Sequence, residues 1–138
     1  MDGSVELVRM GSEGDGVVLR LTGDEGTNGA VLAGVLVVGT PFVSGHLGVR
    51  VLPEDLREWQ EALDALDSGQ DVDRRAFSHG ASLVVERDAS AATARVTVED
   101  ASVPPTCVTV TVPMDDAWFD DAYERLERVW KTWPATEG

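Results

Sequence analysis

The sequence contains a single cysteine, Cys107. That excludes an internal disulfide and a cysteine-based metal cluster, and makes a reducing cytosol the expected setting. Lysine is equally scarce: Lys131 stands alone beside ten arginines, and these eleven basic residues face 25 acidic ones, for a net charge of −14. Phosphate backbones are bound by clustered Lys and Arg, so a nucleic-acid partner is not expected. The longest nearly apolar run, AVLAGVLVVG over residues 30–39, falls far short of the roughly 20 residues a membrane-spanning helix needs. MDGSVELVRM lacks the basic start and apolar stretch of a secretory signal. A soluble, cytoplasmic protein is the expectation, and the wealth of Ala, Gly, Val, Asp and Arg matches the codon bias of a GC-rich genome.

Motifs that would announce chemistry are missing too. Neither G-x-x-x-x-G-K-[ST] nor G-x-G-x-x-G occurs, nor do H-x-H, H-E-x-x-H or C-x-x-C. His46 and His79 share no metal-ligand spacing, and Asp24, Glu25 and Asn28 in GDEGTNG miss the alternation of a calcium loop. No cofactor, nucleotide or metal is expected.

What is present is punctuation by Gly and Asp between apolar segments. With 138 residues the chain has the size of one domain, expected to span 1–138. Asp15-Gly16 suits a hairpin turn between Val5–Met10 and Val17–Thr22. Residues 30–38 read as a buried strand, and Phe42–Leu52 as a strand with one wet face, since Val43, Leu47, Val49 and Val51 alternate with Ser44, His46 and Arg50. Pro53 opens a first helix whose apolar positions Leu56, Trp59, Leu63 and Leu66 form one stripe, with Gly69 placed to stop it. Residues 70–81 show no period and read as a loop. Leu83–Arg87, Ala94–Glu99 and Thr106–Val112 read as further strands, and Asp116–Thr132 as a second helix. Its apolar residues span an arc of about 140°, wide for one contact. The sequence shows no internal repeat. The expected fold is α+β: an antiparallel sheet of about seven strands with two helices on one face, in the order ββββ-α-βββ-α.

Ser44 and His46, two apart among glycines, are the residues most suggestive of catalysis. Two positions along a strand separate their Cα atoms by roughly 6.6–6.8 Å, whereas a nucleophile and its base sit about 2.6–3.2 Å apart. VSG also lacks the sharp turn of G-x-S-x-G. They are read as a solvent-facing pair, Cys107 as structural, and no residue is assigned as catalytic. Two surfaces then remain. One is the wet side of the sheet, carrying Arg20, Ser44, His46, Arg50 and Arg95. The other is acidic: Glu54, Glu58 and Glu61 project from the first helix, and Asp120, Glu124 and Glu127 from the second, with Trp118 and Trp130 at the edges of its apolar arc. Such charges ordinarily form a solvated face, and they also accelerate docking to a cationic protein.

FVSGHLGVRVLPEDLREWQEALDALDSGQDV and CVTVTVPMDDAWFDDAYERLERVWKTWP together resemble a family of small actinobacterial proteins of unknown function, whose features are a PEDL-x-x-W-x-x-AL helix after a strand and a C-terminal helix closing on Arg, Trp and Pro. The layout is more distantly similar to immunity proteins of the WapI class, which neutralise toxins. Together with the acidic surface, that resemblance implies a non-enzymatic interaction module, an immunity or antitoxin-like protein that binds a basic partner such as a toxin domain. Charge and helix position, not the resemblance, single out Glu54, Glu58, Glu61, Asp120, Glu124 and Glu127 as the residues to meet it, with Trp118 and Trp130 as aromatic anchors. The alternatives are a small-molecule-binding or enzymatic domain on the polar sheet face, and a homodimer or larger homo-oligomer built on the wide arc of the second helix.

Overall fold

The computed structural model describes residues 4–12, 15–25, 31–69, 72–76, 81–88, 90–100 and 106–133. Four strands come first: β1 (Val5–Ser12), β2 (Asp15–Glu25), β3 (Val31–Gly39) and β4 (Ser44–Val51). Helix α1 (Pro53–Asp67) follows, then β5 (Val72–Ala76), β6 (Ala81–Asp88), β7 (Thr93–Asp100), β8 (Thr106–Pro113) and helix α2 (Asp116–Thr132). The α+β class, the antiparallel pairing and both helices stand as expected. The order gains one short strand, because part of the segment read as a loop at 70–81 is β5, and the strands divide between two meanders, β1-β2-β3-β4 and β5-β6-β7-β8. β5 escaped the periodicity argument because it is a sheet edge with an irregular register to β6. Its contribution is made through main-chain pairing, which needs no period-2 stripe.

The element order is therefore ββββα twice. The helix N-caps, Leu52 and Asp115, lie 63 residues apart. The same step carries the buried Leu56, Trp59, Leu63 and Leu66 of α1 onto the buried Phe119, Ala122, Leu126 and Val129 of α2. Pairs such as Trp59 with Ala122 keep the apolar pattern while exchanging the residue, so the repetition shows in architecture and not in sequence.

Each helix starts where its sequence provides a cap. Pro53 sits at the first helical position, and the Asp55 carboxylate turns back to accept from the Leu52 amide at 2.9 Å. Asp115 accepts from the Trp118 amide at 2.9 Å. Each helix then packs beside the first strand of the other unit, α1 on β5 and α2 on β1, and the two helices touch. The core runs continuously through both sheets and both helices, with Leu19, Leu21, Leu36, Trp59, Val96 and Leu126 at 0–1 % exposure.

The wide apolar arc of α2 is explained by this position. Its central stripe enters the core, one flank meets β1 and the other meets α1. On the β1 side, Trp118 Nε1 donates to Arg9 O at 2.8 Å and Arg125 Nη1 donates to Glu6 O at 3.3 Å. Both carbonyls belong to an edge strand, so the helix both covers the edge and satisfies it. On the α1 side, Tyr123 donates its hydroxyl proton to Asp64 Oδ1 at 2.6 Å, and the half-buried Trp130 packs against the core. No second molecule is required to cover the arc.

Candidate functional site

Strand parity explains the sheet faces, but the two-sheet topology changes what they can form. Arg20, His46 and Arg50 share the outer face of the first sheet, where His46 lies opposite Val37 and Arg50 opposite Ala33. Arg95 belongs to the second sheet, opposite Glu86 and Thr111. The single wet face expected to collect Arg20, Ser44, His46, Arg50 and Arg95 is thus two separate faces. Ser44 and His46 are both exposed. Among the described residues neither makes a side-chain hydrogen bond, and they do not bond each other. Cys107 is exposed on the second sheet, where the neighbouring ladder pairs the Thr97 and Thr109 hydroxyls at 3.0 Å. Among the described residues no three His, Cys, Asp or Glu side chains gather as metal ligands. His79, Asn28 and the side chains of Asp24 and Glu25 lie outside the described residues.

The helical surface holds the acidic residues together. α1 carries six acidic residues against one arginine, and α2 carries five against two arginines and a lysine. Their net charges, −5 and −2, make half of the chain's −14. Glu54, Glu58 and Glu61 are exposed on the side of α1 opposite its buried stripe, and Asp120, Glu124 and Glu127 are exposed in the same way on α2. Between the helices runs a shallow groove lined by Arg57, Gln60, Glu127, Trp130 and Lys131. The surface is therefore two acidic ridges about a mixed furrow. Arg128 pairs with Glu124 at 3.3 Å, but both side chains are more than half exposed and the pair neutralises little.

Of the two aromatics expected at a binding surface, Trp118 is engaged internally. Besides its bond to Arg9 O it stands edge-on to Phe119, with ring centroids 5.0 Å apart at 85°. Trp130 lines the furrow, and its buried Nε1 has no hydrogen-bond partner among the described residues.

Three polar devices hold this surface in place, and sequence reasoning missed them. Glu6 accepts from Arg9 at 3.0 Å and Arg20 at 3.2 Å, with Arg125 at 3.6 Å. Partial burial raises its pKa, but the hydrogen bonds from Arg20 and Arg9 and the charges of Arg9 and Arg125 outweigh it and hold the carboxyl below its usual range. Arg87 donates from Nη1 to Leu66 O at 2.5 Å and lies 4.7 Å from the centre of the Phe119 ring, joining the end of α1 to α2. Arg87 shares the parity of Leu83 and Val85, and an arginine at a core-facing strand position was a legible signal that a partner waits there. The third device is Tyr123 with Asp64. Burial, then the hydrogen bond to Asp64, then the charges of Asp64 and Asp67 push the phenol well above its usual range. Tyr123 is the chain's one tyrosine, so an absorbance titration reads it alone. A free phenol ionises near about pH 10; phenolate should appear here only at higher pH. A midpoint at the free value would show that the α1–α2 contact is not made.

A family model described as a family of unknown function (DUF5959) matches residues 5–134. No curated protein matches the chain, and no solved structure matches it.

Proposed function

The chain belongs to DUF5959, a family of unknown function, and we propose that it is a non-enzymatic interaction domain that presents its paired acidic helices to a cationic protein. The observation carrying this reading is that half of the net charge lies on two helices packed side by side, with Glu54, Glu58, Glu61, Asp120, Glu124 and Glu127 exposed on them. Opposed charges steer encounter and fix orientation, and a rigid helical surface pays little ordering entropy on binding. The concentration of carboxylates on one helical surface supports a basic protein, such as a toxin domain, as the partner, whose working face the carboxylates would occlude. The polar sheet residues support a ligand site less well, because they divide between two sheets.

The test is kinetic. A partner recovered by affinity capture is measured against Glu54/Glu58/Glu61→Gln and Asp120→Asn with Glu124/Glu127→Gln. Exposed charges contribute little to stability, so melting should hardly change. Association should slow by about tenfold or more for at least one triple variant at low salt, with a flatter salt dependence. Unchanged on-rates for both variants across a salt series would sink the acidic-surface mechanism.

A further inference from the structure

At the far end of β4 from α1, the β3–β4 turn presents Phe42 at 95 % exposure, the one large hydrophobic side chain so exposed among the described residues. The turn is built, not loose. Thr40 Oγ1 accepts from the Phe42 and Val43 amides at 3.1 and 2.7 Å, and the Thr40 amide donates to Val43 O at 2.7 Å. Pro41 restricts the residue before Phe42. A phenyl ring is thus held in water by a hydrogen-bonded turn, at the full cost of its hydration.

Beside it, the two sheets part into an apolar hollow of about 220 Å³ lined by Leu36, Val38, Val43, Leu47, Val98 and Val108. An apolar cavity of about 150 Å³ already accommodates a benzene ring. Knob and hollow therefore occupy the same end of the molecule and match in chemistry and size, which is the requirement for an isologous contact between two copies. From these features we infer that the protein self-associates as a two-fold dimer in which Phe42 of each copy enters the hollow of the other.

Charge favours a second copy at this end. Two chains of −14 repel each other most where the helices, holding half that charge, come together. Among the described residues the hollow's ionisable lining is one histidine and one carboxylate, His46 and Asp100, so two copies approach there against less repulsion than helix to helix. Area sets the strength. Two phenyl rings bury about 300–500 Å², and even with their surroundings the contact stays below the roughly 1,200 Å² of a stable complex. The dimer is accordingly weak, with half-association between about 10 µM and 1 mM.

Sedimentation of the full chain tests this. Wild type should pass from monomer toward dimer over that range. Sodium chloride raised from about 0.01 to 1 M shrinks the screening length from about 30 to 3 Å, and should tighten association by about threefold or more. This sign is opposite to that expected for a cationic partner on the helices. Phe42→Ser should be monomeric with unchanged melting, since the ring touches little. Gly45→Arg should be monomeric as well, because a side chain there enters open space at the mouth of the hollow. A wild type that remains monomeric at about 1 mM in 1 M salt overturns the inference, as does a Phe42→Ser variant that associates equally well. If the inference is overturned on those grounds and benzene shifts the hollow's resonances, the hollow is reassigned to a small apolar ligand. Neither variant touches the acidic helices, so failure here leaves the helical reading standing.

Discussion

Replacing Trp59 with alanine should remove about 3–5 kcal/mol of folding free energy, a large share of the roughly 5–15 kcal/mol that holds a domain together. Trp59 is 1 % exposed and the largest fully buried side chain. It lies on the stripe of α1 that enters the core with Leu56, Leu63 and Leu66. Its removal leaves a void between elements whose positions are set independently: α1 is held at its start by Pro53 and Asp55 and at its end by Arg87 on Leu66 O. With both ends tied, the helix cannot settle inward to fill the space, so the cost should lie toward the upper part of that range. Urea unfolding should show a lowered midpoint with an unchanged slope, the signature of lost stability without a change in the surface exposed. A loss below about 1 kcal/mol would mean that the core closes over the gap and that α1 is not fixed as described.

The second large effect is expected at Gly16. A Cβ there would lie 1.9 Å from Met10 O and 2.9 Å from Met10 C. Both are backbone atoms, so no side-chain rotation relieves the contact. Gly16 pairs with Gly11, which holds φ +83, in the register joining β1 to β2. Gly16→Ala must push the strands apart beside Arg9, whose carbonyl receives the Trp118 indole. The cost should reach at least about 3 kcal/mol, the upper end of ordinary overpacking. Gly48→Ala is the control: nothing lies within 4 Å of a Cβ at that position and its φ is not positive. It should be neutral or stabilise by about 0.4–1 kcal/mol, by restricting the unfolded chain. Equal melting temperatures for the two variants would contradict the close strand approach at Gly16.

The helices were legible because capping and stripe agreed. Pro53, Asp55 and the four apolar positions of α1 describe the same helix, and Asp116–Thr132 was bounded by its own cap and apolar arc. Strand alternation likewise assigned inward and outward side chains, with Val49 and Val51 buried and Ser44 and His46 exposed. Alternation states which side of a strand is wet, but carries no information on which sheet the strand joins, and for that reason Arg95 was placed beside His46 and Arg50. β5 was hidden because an irregularly paired edge needs no stripe. The doubled ββββα plan was hidden because burial is retained where residue identity is not, as in Trp59 and Ala122. At the candidate surface, the outward carboxylates followed from helix geometry alone. The internal engagement of Trp118 did not, because its partner is a main-chain carbonyl 109 residues earlier, and a backbone acceptor leaves no mark in a sequence.

The docking of α2 on β1 also has a temporal meaning. β1 leaves the ribosome before the other described elements, and the helix that occupies its outer edge leaves after them. At about 5–20 residues per second, on the order of ten seconds separate the two. Throughout that interval Glu6 O and Arg9 O have only solvent for partners on that side, and the edge is open to any other strand nearby. The first meander can pair internally through β1-β2-β3-β4 as it is made, but its outer boundary closes only when Trp118 and Arg125 arrive. Protection of β1 thus waits on a helix made more than a hundred residues later, after the other described strands.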